Sequence, residues 1–506
     1  MKRYKKLGIL LGVLVVICVA AFAVSRHEEK KEKIKNSNET ILSIDKDDVT
    51  ALSWEYEDHS YAFHKDGSWV YDSDSDFPVS QDEIDTLLDV FSSFDVAFTI
   101  DDVEDYSQYG LDDPTCTIKF TAGDKDYEVK LGDYSKMDEQ RYVSIGDGKV
   151  YLAANDPFDS YEVEMTDLIQ NDEIPDMSDV TGLTFTGSKK YTAELVDDNK
   201  LTYDDDDKYF VEQDGEKIAL DSDNVKSYIQ NITGLQLTDY VTYNASDAQL
   251  KKYGLDDPAM TVTVSYKVKS DDDASADESS DAQEETFTLN ISKSYDGKSS
   301  DGSTDTGDAA TESGSSDSSS DVADDVSNKI AYVRVGDSGI IYQIGGTAYS
   351  NLMAAGVDDL RHQQLVWADP SIITGMDVTI DGETYSLTSK AVSDKKSSKT
   401  SSSDDTESTD RTWSYNKEEI DISDVTDALA AVKATEFTDT APDQKEEIGV
   451  KLYLDNDNVS EVDLTLYRYD GSSCLAQIDG KTIALVDRSS VVDLTEAVNA
   501  IVLQNK

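Results

Sequence analysis

Four acidic residues near the start of the chain have the spacing of a calcium-binding loop. Positions 1, 3, 5 and 12 of such a loop are matched by Asp72, Asp74, Asp76 and Glu83. Calcium needs several carboxylate oxygens around one point, and this spacing can supply them. Position 6, however, is Phe77, where the sharp turn of this loop requires glycine. The sequence therefore favours a solvated loop between a strand and a helix over a metal site.

The histidines do not form a recognisable catalytic or zinc motif. His59 and His64 are five residues apart in a predicted strand pair, outside any His-Glu-x-x-His pattern, and we interpret them as exposed strand residues. His27 and His362 are isolated. The chain also lacks a Gly-x-x-x-x-Gly-Lys-Ser/Thr phosphate loop and a Gly-x-Ser-x-Gly elbow. We predict that the protein is not an enzyme, with no catalytic, cofactor-binding or metal residues and no cofactor.

The hexapeptide Tyr-Gly-Leu-Asp-Asp-Pro occurs at 109–114 and again at 253–258. Its acidic pairs, Asp112-Asp113 and Asp256-Asp257, could bind metal, but the residues of the hexapeptide also have roles in the backbone conformation. Glycine ends a helix in the left-handed conformation, leucine makes the accompanying apolar contact, and proline prevents the helix from resuming. We therefore interpret the element as a helix stop and strand start. The predicted helices are 104–109 and 247–253, the second capped by Ser246, and the predicted strands are 116–120 and 260–268.

The hexapeptides mark domain-sized repeats, because they lie 144 residues apart and their surroundings also repeat. An aromatic residue, Trp69, Phe210 or Trp413, precedes an amphipathic helix in three places, the last without the hexapeptide. We predict that both tryptophans pack in cores and do not stack on sugars. The three helices are predicted to begin at caps Ser80, Asp221 and Ser423. Their apolar positions are Ile84, Leu87, Leu88 and Phe91; Val225, Tyr228, Ile229 and Ile232; and Val425, Ala428, Leu429 and Val432.

These patterns predict three tandem modules at 41–172, 177–366 and 371–506. Three stretches rich in Ser, Asp, Gly and Thr, about 270–285, 294–328 and 389–411, cannot bury enough apolar surface to form a core. Because they interrupt strand-rich segments, we predict flexible insertions at hairpin tips. The run Asp204 to Asp207 is likewise predicted to be a hairpin tip.

The N-terminus predicts attachment to a membrane. A basic tail at 1–6 precedes eighteen uncharged residues, 7–24, which as a helix would be about 27 Å long. The positive flank should stay in the cytoplasm, so that 25–40 forms a stalk and the rest is extracytoplasmic. An uncleaved signal anchor is favoured, while Ala21-Phe22-Ala23 also fits a cleaved signal peptide.

The overall charge excludes nucleic-acid binding. Lys and Arg number 45 against 105 Asp and Glu, a formal net charge of -60, and phosphate binding needs clustered cations. Apolar residues make up 38% of the chain, which is enough for packed cores. Of the three cysteines, Cys18 lies in the predicted anchor, and nothing requires a disulfide between Cys116 and Cys474.

The tryptophan-containing strand, the amphipathic helix and the hexapeptide together resemble the bacterial domain-of-unknown-function family 4340. Two copies carry the hexapeptide, most of 41–366 fits the family pattern, and the third unit keeps the strand, the helix and the last hairpin. Proteins of this family look like single-span envelope proteins, often encoded beside ABC-2 type exporters and auxiliary subunits of the gliding-motility class. The family brings no established catalytic residues.

The fold class expected is α+β: three related modules of antiparallel strands with packed helices after a transmembrane helix. The resemblance implies a non-catalytic accessory protein of the cell membrane, with ABC transporter permease or auxiliary subunits as partners. The alternative is a surface adhesin or a protein that binds cell-wall polymers through exposed aromatic residues and acidic loops. An unrecognised hydrolase is the third hypothesis.

Overall fold

The computed structural model describes residues 39–101, 103–213, 215–268, 283–296, 328–391 and 411–504. The predicted tail at 1–6, the anchor at 7–24 and all but the last two residues of the stalk lie outside these ranges. Those two residues already belong to a strand that begins at Glu39. Within the described ranges, no helix combines the length and the apolar character needed to cross a membrane.

The described part of residues 39–168 contains the first antiparallel sheet and its helices. The strands in chain order are β1 (Glu39–Leu42), β2 (Val49–Tyr56), β3 (His59–Asp66), β4 (Ser68–Tyr71), β5 (Phe94–Ile100), β6 (Cys116–Ala122), β7 (Lys125–Ser135), β8 (Gln140–Ser144) and β9 (Val150–Ala153). Across the sheet their order is β1-β5-β9-β8-β7-β6-β2-β3-β4. The helices are α1 (Gln81–Asp89) and α2 (Phe158–Tyr161), with 3-10 turns at Lys46–Asp48, Ser107–Tyr109 and Met165–Leu168.

The second sheet follows in residues 179–345. Strands of this region are β10 (Asp179–Gly187), β11 (Tyr191–Leu195), β12 (Tyr209–Gln213), β13 (Glu216–Leu220), β14 (Tyr240–Thr242), β15 (Met260–Val268), β16 (Gln283–Ile291), β17 (Tyr295–Asp296), β18 (Lys329–Val335) and β19 (Ile341–Gly345). The sheet runs β13-β12-β11-β10-β15-β16-β18-β19, and β17 pairs with β18. The helices are α3 (Ser222–Thr233), α4 (Asp247–Lys252), α5 (Gly346–Met353) and α6 (Val357–Leu360).

The third sheet begins after a 3-10 turn at Pro370–Ile372. Its strands are β20 (Ile373–Ile380), β21 (Glu383–Ala391), β22 (Arg411–Tyr415), β23 (Glu418–Ile420), β24 (Ala434–Phe437), β25 (Glu446–Leu454), β26 (Glu461–Arg468), β27 (Ser473–Ile478) and β28 (Lys481–Asp487). Their order is β23-β22-β21-β20-β25-β26-β27-β28-β24. The helices are α7 (Ser423–Ala430) and α8 (Arg488–Gln504).

All three sheets share one topology. Each contains two antiparallel meanders side by side, and α1, α3 or α7 lies between them in the chain. The first strands of the two meanders are neighbours in every sheet: β2 with β6, β10 with β15, and β20 with β25. The predicted α+β class, with antiparallel sheets and a few helices, is confirmed. The third sheet has this strand order although its sequence lacks the hexapeptide.

Alternating side chains explain why one face of each sheet is buried. In β15, Met260, Val262, Val264 and Tyr266 are buried while the residues between them are partly exposed. The helices bury predicted apolar positions in the same way: in α1, which follows the first strands of the first sheet, Ile84, Leu87 and Leu88 are buried. Trp69 and Trp413 are 3% and 7% exposed, which confirms that both belong to cores.

Two of the three connecting helices begin at a side-chain cap. Ser80 accepts a hydrogen bond from the amide of Glu83, and Asp221 accepts from those of Asp223 and Asn224. The third differs, because α7 has Ile422 at its cap position without a side-chain bond, and predicted cap Ser423 is its first helical residue. Asp421 accepts the Ser423 amide instead, at 2.9 Å.

The hexapeptide ends a helical turn as predicted, at left-handed glycines with φ of 67° at Gly110 and 68° at Gly254. In the second copy α4 begins at a capping box formed by Ser246 and Gln249. In the first copy only the 3-10 turn Ser107–Tyr109 forms, which is shorter than the predicted helix at 104–109. The predicted strand at 260–268 is confirmed as β15, and that at 116–120 extends to Ala122 as β6.

The chain divides into two compact units. Of the described residues, unit 1 contains those up to Asp172 together with Tyr240–Ala245, and unit 2 contains those of Glu173–Asp239 and those from Ser246 onward. Unit 2 thus includes both the second and the third sheet. A boundary between them at 366 does not separate two cores, because Leu365 and Val366 pack in the core of the third sheet together with Tyr203.

The three predicted insertions lie mostly outside the described residues, which resume at Gln283, Asn328 and Arg411. The strands on either side of each one are paired. Val268 pairs with Gln283, Asp296 with Lys329, and Ala391 with Arg411. Each insertion therefore lies in the chain between two neighbouring antiparallel strands.

Candidate functional site

The acidic residues with calcium-loop spacing each meet a different partner. Asp72 accepts a hydrogen bond from His64 at 2.5 Å. Asp74 and Asp76 bond to residues of the 240–245 segment, which belongs to the same unit: the Tyr243 hydroxyl lies 2.6 Å from Asp74, and the Asn244 amide 3.0 Å from Asp76. In the described part of the chain, no three His, Cys, Asp or Glu side chains converge as metal ligands would.

The bond between Tyr243 and Asp74 changes the acidity of both groups. It is the largest cause that lowers the pKa of Asp74 and raises the pKa of Tyr243 to about 12, with desolvation adding to the latter. The contribution of neutral Tyr243 to stability is therefore complete below pH 10 and lost as the pH rises through about 12. The Asp74 contribution is present above the ordinary carboxyl pKa and lost as the pH falls through its lowered value.

Replacing Asp74 with asparagine is expected to lower the pKa of Tyr243 from about 12 towards the ordinary value of 10, because the carboxylate acceptor is lost. The measurement is a pH titration of ¹³Cζ-tyrosine resonances, with the Tyr243 signal assigned from Tyr243→Phe. Asp112→Asn, at an exposed carboxylate of the same unit, is the control and should leave this signal unchanged. An unshifted Tyr243 pKa in Asp74→Asn would contradict the assignment of the hydrogen bond.

The hexapeptide carboxylates remain in solvent. Asp112 and Asp113 are exposed, as are Asp256 and Asp257, whereas Leu111 is 3% exposed and packs in the core. The backbone of this turn approaches β7 closely, so that a Cβ atom at Gly132 would lie 2.1 Å from the Tyr109 carbonyl oxygen. These observations confirm the interpretation of the hexapeptide as a turn that starts a strand.

The thiols of the described residues are poor nucleophiles. Cys116 and Cys474 are both buried and free. Burial raises the pKa of the Cys116 thiol to about 12 and that of Cys474 to about 11, so both are protonated at neutral pH.

His362, which the sequence left without a role, lies in a partly buried polar cluster with Asp207, Asp221 and Trp367. Its Nε2 is 2.6 Å from Oδ1 of Asp207, and its Nδ1 is 3.5 Å from Oδ2 of Asp221. The imidazole stacks on the indole of Trp367 with ring centroids 4.1 Å apart and an angle of 8°. We call these four residues the His362 cluster.

The carboxylate of Asp207 is the most buried charge of the His362 cluster. The residue is 1% exposed and accepts two hydrogen bonds, from His362 and from the indole Nε1 of Trp367 at 3.2 Å. With an ionised carboxylate as acceptor, Nε2 of His362 must carry the hydrogen. Asp207 therefore ends its acidic run inside the protein, which corrects the prediction that the whole run is a solvated tip.

The loop between β11 and β12, which carries Asp207, is held by hydrogen bonds of its own. The Asn199 side chain donates to the hydroxyl of Thr202 at 2.6 Å and to the carbonyl of Asp204 at 2.8 Å, and it accepts the amide of Leu201. Burial raises the pKa of Asp204 above its usual range. Asn199 is itself 7% exposed, so this internal bonding replaces the water that the loop would otherwise need.

The same loop contacts the third sheet. The Tyr203 hydroxyl accepts the amide of Trp367 at 3.1 Å, and the Tyr203 and Asn199 carbonyl oxygens accept the side-chain amides of Asn456 and Asn458 at 3.0 and 3.1 Å. The polar groups of this region thus join the second and third sheets inside unit 2.

The groups of the His362 cluster bond mainly to one another. Both nitrogens of His362 face carboxylates, and the nearby Ser222 hydroxyl donates to the Asp206 carbonyl at 2.6 Å while accepting the Lys208 amide. A general base needs a nitrogen that can reach the proton of a nucleophile or water. Asp207 and His362 are 155 residues apart, so no local pattern in the sequence could have paired them.

Comparison with known families gives one result. The family described as Domain of unknown function (DUF4340) matches residues 69–219 and, in a second copy, 211–301. The copies begin at Trp69 in β4 and at Val211 in β12, each of which is the third strand of the first meander of its sheet. Searches of curated proteins and of solved structures gave no match. Residues 69–301 of this chain therefore match the DUF4340 family model in two tandem copies, which confirms the resemblance carried by the repeated hexapeptide.

Proposed function

We propose that this protein is a membrane-anchored, extracytoplasmic accessory protein that acts through protein contacts and not through catalysis. The observation that carries the proposal is the bonding of polar groups in and around the His362 cluster, which bond to one another and join two sheets. Three sheets of one topology add extended surface for contacts, as in other proteins built from repeated modules.

The partner we propose is an ABC-2 type export system, through its permease or auxiliary subunits. This part rests on the DUF4340 membership together with the basic tail at 1–6 and the uncharged run at 7–24. Purification of the full-length, C-terminally tagged chain from membranes of its own host should co-purify such subunits, identified by mass spectrometry. Untagged membranes are the control, and mass spectrometry of the mature N-terminus reports whether the anchor is retained.

Binding to cell-wall polymer is the competing function. Its aromatic candidates Trp69 and Trp413 are buried, so they cannot stack on a sugar without unfolding their modules. A full-length chain that sediments with purified cell wall, but co-purifies no transporter subunit, would overturn the proposed function in favour of this alternative.

A further inference from the structure

A polar cleft in unit 2 lies between α3 and the edge of the third sheet. It has a volume of about 780 Å³, and Asn224, Ser227 and Asn231 of α3 line one wall. We call these three residues the amide stripe. They recur at i, i+3 and i+7, so they share one face of the helix, next to the face on which Val225, Tyr228 and Ile232 are buried.

The side chains of the amide stripe are not used by the protein itself. Across the described ranges, none of the three makes a side-chain hydrogen bond, and neither does Asn351 of α5, which lines the same cleft. A carboxamide offers an acceptor oxygen and two donor hydrogens, so it can pair with both the N–H and the C=O groups of a peptide backbone. Seven helical residues span about 10.5 Å, which is the length of about three residues of an extended peptide.

The facing wall is an open strand edge. One side of β24 pairs with β28, while on the other side only its beginning is occupied, where the Ala434 amide donates to the Gln363 carbonyl at 2.7 Å. Beyond that point Thr435, Glu436 and Phe437 line the cleft, and among the described residues no strand pairs with their outer side. An unpaired edge is a template for a further strand.

The charge of the cleft selects the kind of peptide. Asp358, Asp359 and Glu436 line it, and the basic side chain of Arg361 beside them already pairs with Asp358 at 3.7 Å and covers the Phe437 ring at 3.9 Å. The Glu436 carboxylate has no cationic partner in the described part of the chain. An occupant with lysine or arginine would supply the missing positive charge.

We propose that this cleft binds an extended, basic peptide segment of a partner protein, which adds to the edge of β24 and is held on its other side by the amide stripe. This is the β-addition mode of peptide recognition, with side-chain amides as a second set of backbone contacts. The inference rests on the proposed function, because it names the part of the protein through which such a partner would dock.

Fluorescence anisotropy with the full-length chain in detergent tests the cleft directly. The probe is a labelled decapeptide of alternating lysine and threonine at physiological salt, compared with the same peptide N-methylated at alternate backbone nitrogens. We expect binding of the first peptide, with affinity lowered at least about tenfold by N-methylation and by Asn224→Ala/Asn231→Ala, since each removes backbone hydrogen bonds. Gln230→Ala, on the exposed side of α3 outside the cleft, is the matched control and should bind normally.

Several results would overturn the proposal. Absence of binding to the unmodified peptide would do so, and so would equal binding of both peptides to all variants, which would reflect only the net charge of the chain. Binding of a neutral chito-oligosaccharide that Asn224→Ala/Asn231→Ala abolishes, without peptide binding, would make the cleft a sugar site. If transporter subunits co-purify equally with the wild type and this double variant, the proposed function stands and the cleft inference fails.

Discussion

His362→Ala is expected to lower the free energy of unfolding of unit 2 by about 3 kcal/mol, because it leaves the carboxylate of Asp207 buried without its closest donor. The Asp207 side chain is 2% exposed, so water cannot replace the imidazole without opening the loop. The variant also removes the ring stacked on Trp367. Urea unfolding followed by tryptophan fluorescence measures the loss.

His64→Ala is the matched control for this prediction. His64 and Asp72 form an equally short pair, at 2.5 Å, but their side chains are 52% and 45% exposed. Exposed pairs contribute about 0–1 kcal/mol because both groups are well hydrated when separated. Equal urea midpoints for His362→Ala and His64→Ala would show that burial does not govern the His362 cluster.

The double variant His362→Ala/Asp207→Ala separates two explanations of the loss. If the cost comes from an unpaired buried carboxylate, removing that carboxylate should recover part of the stability lost in His362→Ala. If the cost comes only from lost packing, the second substitution should make the protein less stable still.

Gly110→Ala is expected to destabilise unit 1 by about 3 kcal/mol, as the sum of backbone strain and a clash. At φ of 67° a side chain is strained by about 1–2 kcal/mol. The new Cβ would also lie 2.6 Å from Oδ1 and 2.8 Å from the backbone nitrogen of Asp133. Because the backbone of β7 is held in the sheet, it cannot move aside cheaply. Hydrogen–deuterium exchange of peptides within 39–172 measures the effect.

Two other glycines separate strain from clash. Gly146 has φ of 78° but open space where a Cβ atom would lie, so Gly146→Ala should cost only about 1 kcal/mol. Gly254 has nearly the same φ as Gly110, yet its Cβ would meet the Tyr295 hydroxyl, the end of a side chain that is 38% exposed and free to move. Gly254→Ala should therefore fall between the two. A loss at Gly110 no larger than at Gly146 would contradict the clash.

Local patterns in the sequence predicted much of the fold. The alternation in Met260–Val268, the cap at Ser246 and the left-handed glycines depend on residues close together in the chain, so their signals survive without knowledge of the tertiary structure. The predicted cap at Ser423 was wrong by one residue: Ile422 holds the cap position, and the Asp421 side chain accepts the Ser423 amide.

The polar contacts could not be predicted in the same way. Tyr243 bonds to Asp74 across 169 residues, and His362 to Asp207 across 155. Such pairs leave no periodic trace, and an acidic run looks the same in the sequence whether its last carboxylate is buried or solvated. The amide stripe has helical spacing, but only the facing edge of β24 makes it part of a cleft.

The position of Leu365 and Val366 has a consequence for how the protein can be divided experimentally. A fragment that starts at 371 would lack two side chains of its own core and would expose the surface that Tyr203 covers. A fragment that ends at 366 would carry those same apolar side chains into water. The last two modules should consequently melt in a single thermodynamically coupled transition. Truncation between them should give insoluble products. Proteolytic cleavage within a predicted insertion, which removes no core residue, should not.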